Sequence, residues 1–187
     1  KKIKKQITPY LIMVRPEHFD FNYETAENNH FQTEEKKLSK KKILKNAKNE
    51  FDNLYNKLIK NKINVTVFND RKKVRTTDSV FPNNWISLHQ DGSVYVYPMF
   101  SENRRKERRF DIIEKLKKQF EIKRVIDLSY FEKESVFLEG TGSMILDRQN
   151  KICYAALSDR TNLIALNDFC NRASVSYTHL TLPTTYH

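Results

Sequence analysis

The fold is decided by the stretch Phe137-Leu138-Glu139-Gly140-Thr141-Gly142-Ser143. It holds two of the three glycines in the 187-residue sequence, one residue apart and between two apolar runs. Glycine is used where the backbone must adopt a positive φ or come close to another group. A carboxylate beside such a turn is well placed to meet a ligand, although a tight turn that leaves Glu139 in solvent would use the same residues.

A second copy of this pattern lies earlier in the chain. Ser79-Val80-Phe81 recurs as Ser135-Val136-Phe137, and a polar side chain follows each triplet, Asn83 in the first copy and Glu139 in the second. Each copy continues into an apolar hairpin, and self-similarity of this kind indicates a repeated supersecondary unit. We therefore expect the two triplets to be equivalent strands that aim Asn83 and Glu139 toward one central axis.

Strand and helix patterns alternate along the chain. Apolar residues at the 3.6-residue period predict helices, and short apolar runs bounded by turn residues predict strands. The predicted strands are Tyr10–Val14, Asn64–Phe68, two hairpins turning at Asp91 and Asn150, and Arg124–Leu128, and the predicted helices begin near Ser39 (or as early as Glu34), Ser101 and Asn162. This order predicts an α/β fold in one domain over residues 1–172, with no linker that divides it.

A long polar loop, residues 17–32, separates the first strand from the first helix. It contains Asn22 together with the aromatic side chains Phe19, Phe21 and Tyr23. A loop of this length inside a compact domain is often functional, for instance as a lid, and disorder is the plain alternative. The aromatic residues favour an ordered loop.

The positive net charge of the chain is typical of proteins that bind two classes of partner. A formal net charge of +11 suggests nucleic acid or an acidic membrane. The basic residues are spread through helices and turns, however, and no block combines them with stacking aromatics as single-strand binders do. A solvated basic surface is therefore favoured, with no nucleic-acid partner. No apolar run approaches the roughly 20 residues that span a bilayer, so no membrane partner is expected either.

The two cysteines indicate the compartment. Cys153 lies in an apolar strand pattern and Cys170 on the apolar side of a helix, without CxxC spacing. Such residues are typical of reduced core thiols in an intracellular protein, so we expect a cytoplasmic location. The apolar run after the basic N-terminus is too short for a signal peptide. No His, Cys and Asp cluster has metal-ligand spacing, and neither a metal nor another cofactor is expected.

The composition changes after Arg172. Residues 173–187 contain no Lys, Arg, Asp or Glu, although 30% of the whole chain is charged. The run from Ser174 to Pro183 resembles a translated sequencing-adapter fragment, and we interpret residues 173–187 as a non-native tail. A native polar strand or tail is the alternative. We assign no function to His179 or His187.

Three motifs, in order, resemble the guanidino-modifying (pentein) superfamily. They are Asp78-Ser79-Val80-Phe81-Pro82-Asn83-Asn84-Trp85, the glycine-containing stretch Phe137–Ser143, and Leu157-Ser158-Asp159-Arg160-Thr161-Asn162. The chain is most similar to the citrulline-utilisation hydrolases and amidinotransferase-like members of that superfamily. The resemblance covers about residues 12–172 and implies a five-bladed α/β propeller of ββαβ units, of which this chain holds about three as a partial catalytic domain.

The resemblance also implies roles for individual residues. Glu139 matches the carboxylate of a catalytic Glu–His pair, whereas Asp78, Asn83 and Asn84 match substrate-contacting positions. Arg160 matches an arginine that holds the carboxylate of the substrate through a bidentate fork. Either Arg104 or its neighbour is expected to assist it. Each of these residues also has a plain alternative as a turn residue or a surface cation.

Two departures from the family pattern shape the expected chemistry. Dimethylarginine hydrolases carry acids where this chain has Asn83 and Asn84, and an amide offers a donor and an acceptor together. A neutral, citrulline-like ureido amino acid is therefore the expected substrate. The later histidine and the nucleophilic cysteine of the family have no counterpart here, because Cys153 and Cys170 stand in the wrong elements. We therefore expect this chain to be an inactive N-terminal part of a hydrolase. The complete hydrolase is expected to form a homodimer.

Other functions remain open on the sequence alone. Within the fold, the alternatives are amidino transfer, in which an amine replaces water, and arginine deiminase-like chemistry. From another class, the alternative is a non-enzymatic basic protein that binds anions or nucleic acid.

Overall fold

The computed structural model describes residues 7–26, 33–34 and 37–179. These residues form strands and helices in alternation, as an α/β chain does. The strands are β1 (Tyr10–Arg15), β2 (Asn64–Asn69), β3 (Ile86–Leu88), β4 (Ser93–Val96), β5 (Arg124–Asp127), β6 (Met144–Asp147), β7 (Ile152–Ala155) and β8 (Ser176–His179). The α-helices are α1 (Lys40–Lys60), α2 (Glu102–Arg105), α3 (Phe110–Lys117), α4 (Gly140–Ser143) and α5 (Leu163–Ala173).

The described chain divides into two compact units. The N-terminal unit comprises residues 7–82 and 101–112, and the hairpin unit comprises the described parts of residues 83–100 and 113–187. The chain therefore passes from one unit to the other three times, and α3 begins in the first and ends in the second. The sequence did not indicate this division, because the crossing at residues 82–83 falls inside the asparagine motif and the crossing at residues 112–113 falls inside α3.

The N-terminal unit is built on a βαβ crossover. Strands β1 and β2 pair in parallel, with Tyr10 opposite Asn64, and α1 connects them. Helix α1 begins where the sequence predicted, because the Ser39 hydroxyl accepts a hydrogen bond from the Lys42 N–H at 3.3 Å and so caps the first turn. A bidentate ion pair between Arg15 of β1 and Asp52 of α1, with both N–O distances 2.8 Å, joins the helix to the sheet.

The two three-stranded sheets of the hairpin unit have the same order: a hairpin, and then a parallel strand that returns after a helix. In the first copy β3 and β4 form an antiparallel hairpin, and β5 returns parallel to β4 after α3. In the second copy β6 and β7 form the hairpin, and β8 returns parallel to β7 after α5. The predicted repeat is therefore confirmed at the level of these two sheets.

The two serine-containing triplets that revealed the repeat are not strands. Ser79–Phe81 lies in a turn that is closed by a 3.0 Å hydrogen bond from the Phe81 N–H to the Asp78 carbonyl. Ser135 adopts a left-handed conformation with φ 55° and ends the 3-10 helix Ser129–Glu134. The prediction of equivalent strands was wrong, because local turn hydrogen bonds take up the backbone groups that a strand ladder would use.

The core of the hairpin unit is aromatic and contains both cysteines. Tyr95, Tyr97 and Phe169 are fully buried, and the Tyr95 and Phe169 rings meet edge to face at 4.9 Å. Cys153 of β7 and Cys170 of α5 are buried free thiols, as predicted. The hydrogen bond to Cys170, together with burial, raises the pKa of the Cys153 thiol well above its usual range.

Part of the segment predicted to be a non-native tail has a regular structure. Residues Ser176–His179 form β8, which pairs with β7 from Ile152 opposite Ser176 onward. Residues 180–187, His187 among them, lie outside the described residues, as do residues 27–32 of the long loop. Within the described ranges, no helix is long and apolar enough to cross a membrane.

A hydrogen-bonded chain of side chains runs beneath the first hairpin. His89 Nε2 lies 2.8 Å from the Ser87 hydroxyl, which in turn lies 2.7 Å from the Tyr97 hydroxyl. The His89 ring also packs on Tyr95, with 4.8 Å between the ring centroids. Burial, with a further contribution from the charge of Arg148, lowers the pKa of His89 from its ordinary 6.5 to about 4.

This burial predicts a loss of stability in weak acid. The pKa of His89 is lower in the folded chain than in the unfolded chain, so the unfolded chain takes up a proton first. Stability is therefore complete above pH 6.5 and falls as the pH drops from 6.5 toward 4, by about 1–3 kcal/mol. Urea unfolding of the wild type and of His89→Gln across this range measures the difference.

The matched control for this measurement is His18→Gln, which leaves His89 in place. It should retain the wild-type pH dependence, whereas His89→Gln should flatten it. An equal pH dependence in the wild type and in His89→Gln would show that His89 is not the group responsible.

Candidate functional site

Glu139 occupies the position that precedes α4 and β6 in the second ββαβ copy. It directly follows Leu138, which is fully buried and whose N–H donates to the Pro98 carbonyl at 3.1 Å. Leu138 also forms an isolated β-bridge with Thr161. These contacts place the Glu139 side chain inside the hairpin unit, where only 1% of the residue is exposed. The alternative of a solvated turn residue is therefore wrong.

Both carboxylate oxygens of Glu139 have partners. Oε1 accepts a hydrogen bond from the Phe100 N–H at 3.1 Å. Oε2 accepts one from the Asn84 side-chain amide, also at 3.1 Å, and lies 3.7 Å from Nη1 of Arg160. A buried carboxylate requires such donors, because an ionised group without them would be strongly destabilised away from water.

The backbone around Glu139 is tied to Arg160. The Ser143 hydroxyl accepts a hydrogen bond from the Glu139 N–H at 3.0 Å and donates one to the Arg160 carbonyl at 2.8 Å. The Arg160 side chain is 19% exposed, and its Nη1 faces Glu139. A guanidinium carries five N–H donors, so it can donate to more than one acidic group.

The two glycines allow the asparagine segment to approach the acid. Gly140 has φ 44°, and a Cβ atom there would lie 2.3 Å from the Asn83 carbonyl oxygen. A Cβ atom on Gly142 would lie 2.4 Å from Nδ2 of Asn84. Since real Cβ contacts are never so short, any larger residue would push Asn84 away from Glu139. Both positions must therefore be glycine for the asparagine segment to come this close to Glu139, and the sequence had predicted such a close approach.

A second carboxylate supports the segment that donates to Glu139. Oε1 of Glu132 accepts a hydrogen bond from the Met99 N–H at 2.7 Å. Two successive amides, Met99 and Phe100, thus point to two different carboxylates. Sequence reasoning missed Glu132 and the Phe100 N–H, because a backbone donor leaves no residue-type signal and Glu132 stands among other charged residues.

In the N-terminal unit, Asp78 is largely buried and has two partners. The Asn22 side-chain amide donates a hydrogen bond to Asp78 Oδ2 at 2.5 Å, and Nε of Arg104 lies 3.8 Å from the same oxygen. The loop around Asp78 is fixed by Asp70, which accepts hydrogen bonds from the hydroxyls of Thr76 at 2.6 Å and Ser79 at 2.8 Å.

Arg104 is enclosed by protein groups. Its guanidinium donates from Nε to Glu107 Oε1 at 3.1 Å and from Nη2 to Glu107 Oε2 at 3.0 Å, and both side chains are buried. Nη2 also reaches the carbonyls of Asp78 and Phe81 at 3.5 Å each. Its neighbour Arg105 keeps 26% of its side chain exposed.

The structure thus brings the predicted site residues together in two groups. Glu139, Asn84 and Arg160 meet in the hairpin unit, and Asp78 and Arg104 meet in the N-terminal unit. Asn83 contributes its backbone carbonyl against Gly140, and the residue is exposed. Neither Cys153 nor Cys170 contacts the Glu139 group through any hydrogen bond found among the described residues.

Residues 7–26, 33–34 and 37–179 contain no group of three or more His, Cys, Asp and Glu side chains that could hold a metal ion.

Solved structures share this fold at low sequence identity. The substrate-bound N-terminal domain of ArgZ, an arginine dihydrolase from the ornithine-ammonia cycle in cyanobacteria, has a TM-score of 0.64 and 18% identity, over 90% of this chain and 56% of its own. Dimethylarginine dimethylaminohydrolase from Pseudomonas aeruginosa, as a cysteine-to-serine mutant complexed with citrulline, has a TM-score of 0.59 and 18% identity, over 95% and 62%. A further dimethylarginine dimethylaminohydrolase, in an adduct with S-methyl-L-thiocitrulline, gives 0.64 and 16%, over 94% and 62%.

These likenesses establish the fold, and the chain spans only 56–62% of the length of these three relatives. No curated protein sequence matches the chain. The family comparison is more specific, since residues 15–187 match the family described as N,N dimethylarginine dimethylhydrolase, eukaryotic. The chain therefore belongs to this dimethylarginine dimethylhydrolase family, within the guanidino-modifying (pentein) superfamily that its motifs resemble.

Proposed function

We propose that this chain is part of a hydrolase that cleaves a C–N bond of a guanidino or ureido amino acid. The observation that carries the proposal is the buried Glu139 carboxylate, which meets Asn84, the Phe100 N–H and Arg160. A carboxylate held in this way can orient the N–H groups of a planar guanidino or ureido end and accept a proton from them. The family match and the enzymes of similar fold support the same reaction class.

The covalent step requires a nucleophile that this chain does not present. In the proposed reaction, a cysteine thiolate bonds to the guanidino or ureido carbon, and the C–N bond then breaks. A histidine gives the departing amine its proton, and water hydrolyses the adduct and restores the thiol. Cys153 is a poor candidate for that thiolate because its pKa is raised by the hydrogen bond to Cys170 and by burial. We propose that the cysteine and histidine lie in the part of the relatives' length that this chain does not span.

Roles in substrate binding follow from charge and exposure. We assign the carboxylate of the substrate to the partly exposed guanidinium of Arg160. Asp78 and the asparagine pair, Asn83 and Asn84, are assigned to the remaining polar groups of the substrate. Arg104 keeps the proposed role of assisting with the carboxylate of the substrate, and its contacts with Glu107 and with the Asp78 carbonyl also hold the Asp78 segment in place.

A neutral ureido end, as in citrulline, is the proposed substrate group. The donor half of the Asn84 amide is directed at Glu139, which leaves its carbonyl oxygen for an N–H of the substrate. A guanidinium cation would call for a second carboxylate at this position, and burying the cation without one costs about 2 kcal/mol or more. Arginine deiminase-like hydrolysis and amidino transfer to an amine are the alternatives within this fold.

We also propose that the two ββαβ sheets are blades of a five-bladed propeller. The complete protein is proposed to be a cytoplasmic homodimer that has no nucleic-acid partner. A basic anion- or nucleic-acid-binding protein is the alternative class, and strongly salt-dependent DNA binding with no effect of citrulline would favour it.

The chain by itself should release no ammonia from L-citrulline or L-arginine. Its two cysteines are buried in the core of the hairpin unit, where neither can reach a substrate carbon. A coupled ammonia assay on the purified chain measures this directly. Ammonia release that Glu139→Ala abolishes would mean that a nucleophile is present after all.

In a longer form that supplies the cysteine, Asn84→Asp should shift preference toward arginine. The substitution would bring two carboxylates together where the amide now lies 3.1 Å from Glu139, and a guanidinium between them would relieve the repulsion. We expect the ratio of kcat/KM for citrulline to that for arginine to fall by about tenfold to a hundredfold, or roughly 1.4–2.7 kcal/mol.

Arg160→Ala is the matched control for this change of preference. It removes a group assigned to the carboxylate that both substrates share, so KM should rise for both and their ratio should stay unchanged. A wild-type enzyme that already prefers arginine would contradict the argument from Asn84.

A further inference from the structure

The Asn22 side chain is buried beside Asp78 although it comes from the long loop. Only 2% of Asn22 is exposed, and its Nδ2 lies 2.5 Å from Asp78 Oδ2. No part of the reaction proposed above uses this residue. A buried amide that gives a hydrogen bond to a carboxylate is nevertheless a strong local constraint, because charge-assisted hydrogen bonds are stronger than neutral ones.

The orientation of the Asn22 amide is fixed by its other partners. The Glu24 N–H, which can only donate, lies 3.2 Å from Asn22 Oδ1. The Asn103 side-chain amide also donates to this oxygen, at 2.5 Å. Asn22 Nδ2 in turn lies 3.4 Å from Asn103 Oδ1, so a joint flip of both amides would keep their mutual contact. The Glu24 N–H, however, can only donate and Asp78 Oδ2 accepts, so a flip of Asn22 would lose the hydrogen bonds to Glu24 and to Asp78.

The two oxygens of Asp78 are consequently unequal. Oδ2 receives the Asn22 hydrogen bond and faces Nε of Arg104 at 3.8 Å. No described residue donates a hydrogen bond to Oδ1, while the Asp78 side chain keeps 13% of its surface exposed. Oδ2 is therefore the oxygen that these protein groups hold, and Oδ1 receives no hydrogen bond from the described residues.

The loop that carries Asn22 is anchored on both sides of it. Asp20 forms ion pairs of 2.8 Å with Lys40 and Arg75. Glu24 Oε2 accepts a hydrogen bond from the Asn103 N–H at 2.9 Å. These contacts hold residues 20–24 in place, so the Asn22 amide is presented to Asp78 by an ordered segment.

We propose that Asn22 is a positioning residue that turns Asp78 so that Oδ1 meets the α-ammonium group of the amino-acid substrate. The proposal rests on the proposed function, in which Asp78 contacts the substrate. When the ureido end of the substrate is neutral, its α-ammonium is the positive group that a carboxylate would bind. Asn22 fixes the direction of that carboxylate before the ligand arrives, which lowers the ordering cost of binding.

The first test needs no substrate. In amide NMR spectra of this chain, the side-chain NH₂ protons of Asn22 should exchange with solvent at least tenfold more slowly than those of Asn53, an exposed residue on α1. Asp78→Ala should remove most of that protection and leave Asn53 unchanged. Equal exchange of Asn22 and Asn53 in the wild type would overturn the positioning role.

The second test separates positioning from general stability. Asn22→Asp has nearly the same shape but replaces the donor by an acceptor, and Asn22→Ala removes both. By calorimetry on this chain, both variants should bind L-citrulline about tenfold more weakly than the wild type. Binding of desamino-citrulline, which keeps the carboxylate and the ureido group but has no ammonium, should be the same in all three.

The outcomes separate this inference from the proposed function. Equal weakening of both ligands would mean that Asn22 acts only through the fold, and would overturn the positioning role alone. Failure of the wild type to prefer L-citrulline over desamino-citrulline would overturn the assignment of Asp78 to the ammonium. Failure to bind either ligand would overturn both that assignment and the proposed substrate class, while the exchange measurement still decides whether Asn22 holds Asp78. Asn53→Ala is the control, and it should bind both ligands as the wild type does.

Discussion

The burial of the Glu139 carboxylate is the constraint on which the hairpin unit depends. An ionised group with 1% exposure must receive hydrogen bonds from the protein, because water cannot supply them. The donors come from three separate places in the sequence: the Asn84 side chain, the Phe100 N–H and the Arg160 guanidinium. The segments that carry them must therefore converge, and the absent side chains of the two glycines in α4 leave room for the asparagine segment to do so.

The N-terminal unit contains a buried positive charge, Arg104, which needs hydrogen-bond acceptors from the protein for the same reason. Arg104 is buried, and its guanidinium is matched by Glu107 and by the carbonyl of Asp78. Breaking such a buried pair by removing one partner is costly, since it strands the other charge. The Asp78 segment is consequently held through its backbone by Arg104, through its side chain by Asn22 and through the preceding loop by Asp70. The buried charges of Glu139 and Arg104 thus each hold in place a segment that is neither helix nor strand.

Local patterns in the sequence were sufficient for most elements and for part of the site. The cap at Ser39 and the hairpin turns define α1 and the ββαβ order through short-range chemistry. The repeat matched Asn83 with Glu139, whereas the side chain that donates to Glu139 is that of the next residue, Asn84. The serine triplets were misread, because apolar composition does not distinguish a strand from a turn whose hydrogen bonds are local. The Phe100 N–H and the Asn22 amide could not be predicted, since their importance arises from long-range contacts. The division into two units, which cuts through α3, likewise has no local signal.

The amide of Asn84 also bears on what the site can accept. Two carboxylates about 4 Å apart would repel each other by about 4 kcal/mol at an effective dielectric constant near 20, unless a cation lay between them. The repulsion between such a pair would be relieved only when a positively charged ligand is bound. An amide beside Glu139 instead supplies a donor at 3.1 Å, and the carboxylate is satisfied with no ligand present. A guanidinium that enters this arrangement relieves no repulsion and loses its hydration, whereas a neutral ureido group loses less hydration and can donate an N–H to the Asn84 carbonyl oxygen. The balance of these terms supports the proposal of a neutral ureido substrate.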